Sequence, residues 1–582
     1  MYGETLTSTR SEGANPAKAM QQAGMSSAQQ AEVARRIRRR LNALQNGRRS
    51  WESHWKQLAS HFLPRKSRFL SDGNNNGAKA DTRLYDSTGV IAARNLASGM
   101  QGGLTSPGIP WFRLSWREAA FSISDESRAW LHDTQERMNE AFSHSNFYEQ
   151  IHALYAELAV MGTGCLLVEE DKDRIMRFKI LTAGEYYIDA GAFGRIDTLY
   201  LRLSMTARQI VGQWPDTSPA HIREAAVRDD NSQFTIIHAI EPRKDARRHG
   251  VRGDERPFSS IFLLEGSAAS NGGILETGGY YEFPALCPRW DSTGGDVYGR
   301  SPAMDALADC RMLQRIRRDT LQALSREVRP PLNVTSGALS IVPDVSPDAI
   351  NYIPSGGQAE AVTPLYQVRS NLQAAEATIQ GCRTQIREAF FNDLFMLLKN
   401  TDQRMTATEV AERNAEKMLM LGPVLDRLRS EVFQPLVERV YGLMARAGHI
   451  APPPPSMQGG LLTGHEQNKR PVRVEFVSIL AQAQKAAGIG AVTQTVSFAA
   501  KLAEIAPQTL DKIDTDEALD EVATMLGVPP GLIRGRQTVA ALRQQRATET
   551  AQAKAVATLK EGVELAGEVV KLGKPQEVLW TE

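Results

Sequence analysis

Five arginines are the residues of this 582-residue chain whose type and spacing promise chemistry. Arg311, Arg315, Arg318, Arg326 and Arg329, with Gln322 among them, fall within about 80° of one another on a helix of 3.6 residues per turn. A stripe of guanidinium groups can contact phosphates along a nucleic-acid backbone, or pair with carboxylates on another protein surface. Neither is a reaction, and groupings that would support turnover do not stand out. The glycine-rich stretch Ser98–Gly108 lacks the Lys-Ser/Thr pair that would reach β- and γ-phosphates and magnesium, and Gly573-Lys574 runs into Pro575. The acidic residues are dispersed, not clustered for two metals. Cys165, Cys287, Cys310 and Cys382 show neither CxxC nor Cys/His ligand spacing, so buried thiols in a reducing compartment are expected rather than disulfides or zinc. His238, His249 and the remaining histidines show no ligand spacing and read as core or surface residues. No enzyme activity, metal or cofactor is expected.

The stripe needs a helix to carry it and a second helix to hold that one. Ser301–Val328 is helical in pattern, with an apolar stripe of Leu313, Ile316, Thr320 and Leu324 beside the basic one, and Pro330-Pro331 stops it. Leu365–Phe391 is the partner: Val368, Leu372, Ala375, Ile379, Cys382, Ile386 and Ala389 alternate spacings of four and three, a seam for packing along another helix. Between them, Leu332-Asn333-Val334, Asn351-Tyr352-Ile353-Pro354 and Val362-Thr363 are short strand-like runs, so the unit reads as a helical hairpin with a small β tip. Unpaired strand edges at such a tip invite pairing with neighbouring copies.

A chain of 582 residues exceeds what one core usually fills, and three or four packed subregions are expected. Lys and Arg number 68 against 67 Asp and Glu, which moves any nucleic-acid contact onto local patches. Residues 1–28, rich in Gly, Ser, Ala, Thr and Gln without an apolar h-region, read as a disordered tail. Ala486–Ala500 is too short and polar to span a bilayer, so a soluble, intracellularly made protein is expected.

Taken in order, Gln29–Phe62 is helical, with Arg35, Arg36, Arg38, Arg39 and Arg40 read as a solvated face or a phosphate-contacting arm. Tyr85-Asp86-Ser87-Thr88-Gly89 introduces an Ala-rich helix, and Trp111–Trp116 alternates as a strand. Asp125–Ala159 reads as two helices broken near Ser145-Asn146. Strands are expected at Thr163–Glu170, Arg177–Leu181, Glu185–Asp189, Asp197–Leu203, Phe234–Glu241, Ser260–Leu264 and Gly279–Phe283. Helices, then strands, then helices give an α+β class, mainly helical. Thr406 with Glu409 has the spacing of a capping box for a long helix reaching Ala447, kinked at Gly422-Pro423 and Pro435. Pro452–Pro455 marks a linker, Arg473–Phe476 a short strand, and Gln482–Ile505, Asp516–Leu526 and Val539–Lys571 helices, the end beyond about Ala547 being solvated or frayed.

Five stretches carry a resemblance: Leu96–Pro107, Gly279-Tyr280-Tyr281-Glu282-Phe283-Pro284, Arg289-Trp290, Tyr298-Gly299-Arg300-Ser301-Pro302 and Arg404–Val410. In this order and spacing the chain resembles the head-to-tail connector, or portal, proteins of short-tailed tailed bacteriophages, from about Arg49 to Arg446 and more loosely beyond. The resemblance implies a ring, usually of twelve subunits, at one capsid vertex around a channel for double-stranded DNA. It implies a wing at 29–300 and 406–447, stem helices at 301–328 and 365–391, and a clip at 329–364 with contacts through Asn351, Tyr352 and Ile353. It also implies a tunnel loop at 392–405 presenting Lys399, Asn400, Asp402 and Arg404, a linker with a short strand at 448–480, and a crown at 481–582. The partners implied are sequence-independent DNA, the large terminase subunit, major capsid and scaffolding proteins and tail adaptors, in a virion assembled in the host cytoplasm and without a membrane. Two other readings stay beside it. A packaging enzyme would need a Walker loop or a two-metal site, and a coiled-coil scaffold without nucleic acid accounts for the seam but not the arginines. For the arginines, pairing with a neighbour's Glu376 and Glu388 is preferred over a DNA track, because DNA must slide.

Overall fold

The computed structural model describes residues 26–64, 84–108, 110–116, 125–171, 174–228, 232–243, 253, 255–267, 269, 271–336, 344, 346–354, 362–364, 372–393, 422–454, 472–476, 495–502, 514–526 and 538–553. Val368, Lys399, Asn400, Asp402, Arg404 and the capping box expected at Thr406 lie outside them. The fold is mixed α+β and mainly helical. No described helix is long and apolar enough to cross a membrane.

The chain enters with α1 (Ser27–Phe62), started by a capping box in which Ser26 Oγ accepts from Gln29 N and Gln29 Oε1 accepts from Ser26 N. It continues through α2 (Thr88–Leu104), β1 (Phe112–Trp116), α3 (Asp125–His144) and α4 (Phe147–Met161). Then come β2 (Cys165–Asp171), β3 (Ile175–Leu181), β4 (Tyr186–Ala190), β5 (Ile196–Thr206), α5 (Ala207–Gln213), α6 (Ala220–Val227), β6 (Gln233–Pro242), β7 (Phe258–Leu264), β8 (Ile274–Tyr280) and β9 (Ala285–Leu286). Strands β4 to β8 form an antiparallel meander in sequence order, and β3-β2-β9 form a smaller sheet. The helical hairpin comes next: α7 (Pro302–Asp305), α8 (Leu307–Val328), β10 (Leu332–Ser336), β11 (Ile350–Pro354), β12 (Val362–Pro364) and α9 (Leu372–Ala389). Last are α10 (Gly422–Leu428), a π-helical turn at Arg429–Phe433, α11 (Gln434–Arg446) and β13 (Val472–Phe476), with further helix at 495–502, Thr515–Leu526 and 538–553.

Burial explains this arrangement. The main core gathers the second half of α1 (Trp55, Leu58, Phe62), the apolar faces of α2 and α8, and α4, in which Ile151, Leu154, Tyr155, Leu158 and Met161 are all fully buried. A helix apolar nearly all round must sit inside a domain. The first half of α1 leaves this core and lays Ala34, Ile37 and Leu41 on one face of the meander, against Tyr200, Ile237 and Leu263. Its other face is covered by α5 and α6 through Ile210, Trp214 and Ile222. At the far end of the chain, β13 returns to pair antiparallel with β1, Phe112 opposite Phe476.

Several sequence expectations need correction here. The basic run of α1 is solvated, as expected for Arg35, Arg36, Arg39 and Arg40, but it is not only a solvated face: Arg36 pairs with Glu241, Arg38 donates to Leu264 O and Gly272 O, and Arg40 pairs with Asp189 at 3.0 Å. Three of the five guanidiniums thus staple the helix to the ends of the meander. The strand expected at Gly279–Phe283 ends at Tyr280 and starts at Ile274. A Cβ at Gly279 would lie 2.4 Å from Gly253 O, so the chain passes too close there for any other residue before it bends to present Glu282. Helices α5 and α6 interrupt a region that reads as strands. They are too short for a 3.6-residue period to register, although Thr206 and Gln209 form a capping box.

His238 gives the meander a titratable core. Its ring stacks on Phe262 at 3.8 Å, Nε2 lies 2.9 Å from Ser260 Oγ, and burial together with Lys179 pushes its pKa down to about 3. A histidine depressed in the folded state costs nothing above its unfolded value and destabilises progressively as pH falls from there toward the folded value. Denaturant unfolding should therefore show stability declining between about pH 6.5 and 3, and His238→Gln should flatten that slope by up to about 1.4 kcal/mol per pH unit. An unchanged slope in the variant would place the linkage elsewhere.

Candidate functional site

The hairpin of α8 and α9 is fixed at its base before it is anything else. Ser301 Oγ donates to Val160 O at 2.7 Å and accepts from Met304 N, so the cap that starts α7 also ties it to α4. Asp86 ties both long helices to the same core. This buried carboxylate accepts from Thr88 N and Oγ1 at 2.9 and 2.5 Å and from Arg383 Nη2 of α9 at 2.8 Å. Arg317 of α8 reaches it at 3.7 Å. From the α8 side, Gln314 Oε1 accepts from Tyr85 N and Asp86 N, and its Nε2 donates to Asp86 O at 2.7 Å. Burial alone would raise the Asp86 pKa, but the Thr88 hydroxyl and amide and the Arg383 guanidinium hold it below the usual carboxylate range. Beside this knot, a Cβ at Gly89 would meet the Phe62 ring at 2.9 Å and Cys310 Sγ at 3.2 Å. At the end of α9, Phe390 packs on Phe62 and Phe391, at φ 52°, packs on Trp290. A left-handed phenylalanine persists only where its surroundings over-determine it.

Away from the base the hairpin is unfinished within one chain. Of the expected seam, Ile379, Cys382 and Ile386 are buried, Ala375 is half-buried and Leu372 is exposed. Opposite them Leu313 is buried, while Leu321, Leu324 and Val328 lie open, Val328 at 71%. The seam closes over its base half only, because the knot pulls the helices together there. Of the stripe, Arg311 donates to Gln57 Oε1 at 2.7 Å, Arg315 sits 3.7 Å from its helix neighbour Asp319, and Arg329 pairs with Asp348 at 3.0 Å. Arg318 and Arg326 have no ion-pair partner among the described residues. Glu376 already faces Arg317 of its own chain at 3.8 Å. At the tip, β10 lies between β11, parallel, and β12, antiparallel, so the three expected strands pair with one another and leave β11 and β12 as edges. Asn351 is buried there, exchanging hydrogen bonds with the Asp344 backbone through both ends of its amide. Tyr352 and Ile353 lie in β11, within that edge strand.

Two of the stretches that carried the resemblance, those containing Glu282 and Arg289, latch the α+β body to the helix at 422–446, while Arg404–Val410 lies outside the described residues. Glu282 accepts from Arg439 at 3.0 Å and from Arg446 at 2.8 and 2.9 Å, which holds its pKa down against its burial. A Cβ at Gly442 would meet Glu282 Oε1 at 2.6 Å, so the helix approaches this carboxylate on a bare backbone. Arg289 is bound by Glu431 through its backbone N, Nε and Nη2 at 2.8, 3.2 and 2.6 Å, and donates to Gly194 O. Glu431 lies in the π-helical turn just before Pro435, and that wider turn accommodates a ring that cannot donate to the turn before it. Gly162 (φ 77°) and Gly299 meet backbone to backbone, a Cβ on Gly162 falling 2.2 Å from Gly299 O.

Sequence reasoning missed Asp86, Gln314, Arg317 and Arg383. The only local signal was Asp86-Ser87-Thr88, an Asx-type turn ahead of a helix. Asp86→Asn leaves Arg383 without its carboxylate and should lower unfolding free energy by roughly 2–4 kcal/mol. The wild-type contribution is present above the unfolded Asp pKa and is lost as pH falls through the depressed folded value. Exposed Arg315→Ala should change unfolding free energy by under about 1 kcal/mol. Urea titration of both variants measures the contrast, and equal losses would remove Asp86 from its central place.

The family described as bacteriophage head to tail connecting protein matches residues 34–533. The chain is 38% identical over 535 residues to the probable portal protein of Bordetella phage BPP-1, covering 91% of this chain and 94% of that protein. It is 35% identical over 528 residues to the portal protein of Salmonella phage epsilon15, covering 90% and 92%. Among solved structures it is similar to a chain of the virion of a native gene transfer agent particle, at 12% identity and TM-score 0.31, covering 76% of this chain and 91% of that one. The chain belongs to the bacteriophage head to tail connecting protein family.

Proposed function

We propose that the protein is a ring-forming portal, usually of twelve subunits, through which double-stranded DNA enters and leaves the capsid at one vertex. The observation that carries this reading beyond family membership is the half-finished hairpin: tied at its base by Asp86 and open along Leu321, Leu324, Val328 and Leu372. An apolar stripe continuous with an intramolecular seam is completed by another copy at least cost, since that copy presents the same helices at a fixed rotation. In this reading α8 and α9 are the stem, 329–364 the clip and 392–405 the tunnel loop. The clip would dock the large terminase subunit during packaging and a tail adaptor afterwards. The wing would contact major capsid and scaffolding proteins. The protein would occupy the virion's head-tail junction after assembly in the host cytoplasm.

Arg318 and Arg326, without ion-pair partners among the described residues of their own chain, are supplied with carboxylates by the adjacent stem, Glu388 being an exposed candidate. A collar of guanidinium-phosphate contacts would instead hold DNA that has to slide. Contacts to DNA are to its backbone and shape, because every base pair of the genome passes the same surface. Arg315→Ala combined with Arg318→Ala should lower ring stability in salt, seen as subunit dissociation by electron microscopy and light scattering, more than it slows packaging into intact particles. Intact rings with a packaging defect would make the stripe a DNA track. Shortening 394–404 should leave rings intact and release packaged DNA in a nuclease-protection assay; full retention would remove the tunnel-loop assignment.

A further inference from the structure

We infer that Cys165 and Cys287 are a site of oxidative modification, a thiol pair that peroxide converts into a cross-strand disulfide closing residues 165–287 into one covalent loop. The two sulfurs are 3.6 Å apart, the Cys287 thiol directed at Cys165 Sγ, and both residues are buried. Their backbone is fixed on either side. Leu166 pairs with Leu286 and Leu167 with Ala285 along β2 and β9, and Thr163 bridges Arg289 beyond them, so Cys165 stands directly opposite Cys287.

The hydrogen bonds settle which kind of opposition this is. Gly164 N donates to Pro288 O, Val168 N to Pro284 O and Trp290 N to Gly162 O, at 3.2, 2.8 and 2.9 Å. The even-numbered residues 162, 164 and 168 are therefore the hydrogen-bonded positions of this ladder, and Cys165 falls at a non-hydrogen-bonded one. Opposed Cα atoms approach to about 4.5 Å at such positions, within the roughly 4.4–6.8 Å that a disulfide spans. The described residues show no other sulfur–sulfur hydrogen bond, so Cys310 and Cys382 act as internal comparisons.

The chemistry balances with peroxide as the oxidant. One thiolate attacks a peroxide oxygen, giving a sulfenic acid and, after protonation, one water. The facing sulfur then displaces that hydroxyl as a second water while the S–S bond forms, so two thiols lose two electrons and one peroxide gains them. Burial and the adjacent Cys287 hold the Cys165 thiol well above its ordinary range, so little of it is thiolate near neutrality and the attack on peroxide speeds up as pH rises. The bond would clamp the neck of the loop that contains the whole five-stranded meander, two residues from the Arg289–Glu431 latch.

Full-length protein treated with hydrogen peroxide at pH 8, quenched with catalase, denatured and alkylated should lose two of its four thiols. Peptide mapping should give one linked pair joining the segments of Cys165 and Cys287, and the thermal transition should move upward. Cys287→Ser should abolish both the thiol loss and the shift, and if that variant does not fold, the wild-type peptide map decides alone. Four intact thiols, a link involving Cys310 or Cys382, a link between chains, or sulfinic acid at the pair would each overturn the assignment. None of these outcomes depends on ring formation or DNA transport.

Discussion

The structure depends on one buried carboxylate. Asp86 accepts hydrogen bonds from its own turn and from α9, and Arg317 of α8 stands within ion-pair reach. A charge at 8% exposure is tolerable only when its lone pairs are filled and a counter-charge is at hand, and here the counter-charges belong to both long helices. The geometry that keeps this group charged also fixes the angle at which the hairpin leaves the body. Gln314 does the same with neutral atoms, closing both the amides and the carbonyl of the turn. Beyond the knot, α8 and α9 are cantilevered from it, which is why the seam is sealed near Ile386 and open at Leu372.

The rest of the body is held to that base by two more ionic latches of the same design. Glu282 under Arg439 and Arg446, and Arg289 clasped by Glu431, join segments about 140 to 160 residues apart in sequence. Both lie where glycines permit close approach, backbone to backbone at Gly162 and Gly299 and backbone to the Glu282 carboxylate at Gly442. An ion pair of this kind contributes little by charge alone, but a misplaced partner would leave a buried charge unmatched, so the latches specify geometry. The hairpin therefore projects from a base whose geometry these latches fix.

How far the sequence could be read depended on the range of the interaction. The helical hairpin, its β tip, the break at Ser145-Asn146 and the strand at 473–476 are all visible as period, cap or proline, because neighbours in sequence create those signals. The basic run of α1 was visible as charge but not as purpose. Its partners Glu241, Leu264, Gly272 and Asp189 are brought to it by the meander, and no local pattern announces them. Asp86 looked like one more polar residue before a helix.

The order of elements apart from α5 and α6, the apolar seam, the arginine stripe and the family motifs were determined by the sequence alone, because each is a statement about residue type and spacing. Which half of the seam is closed, which arginines are already engaged, and which carboxylate holds the hairpin were decided only by tertiary structure. The physical reason is that a buried charge is defined by what surrounds it. For Asp86 the surroundings come from residues 88, 314, 317 and 383, which only the folded chain brings together.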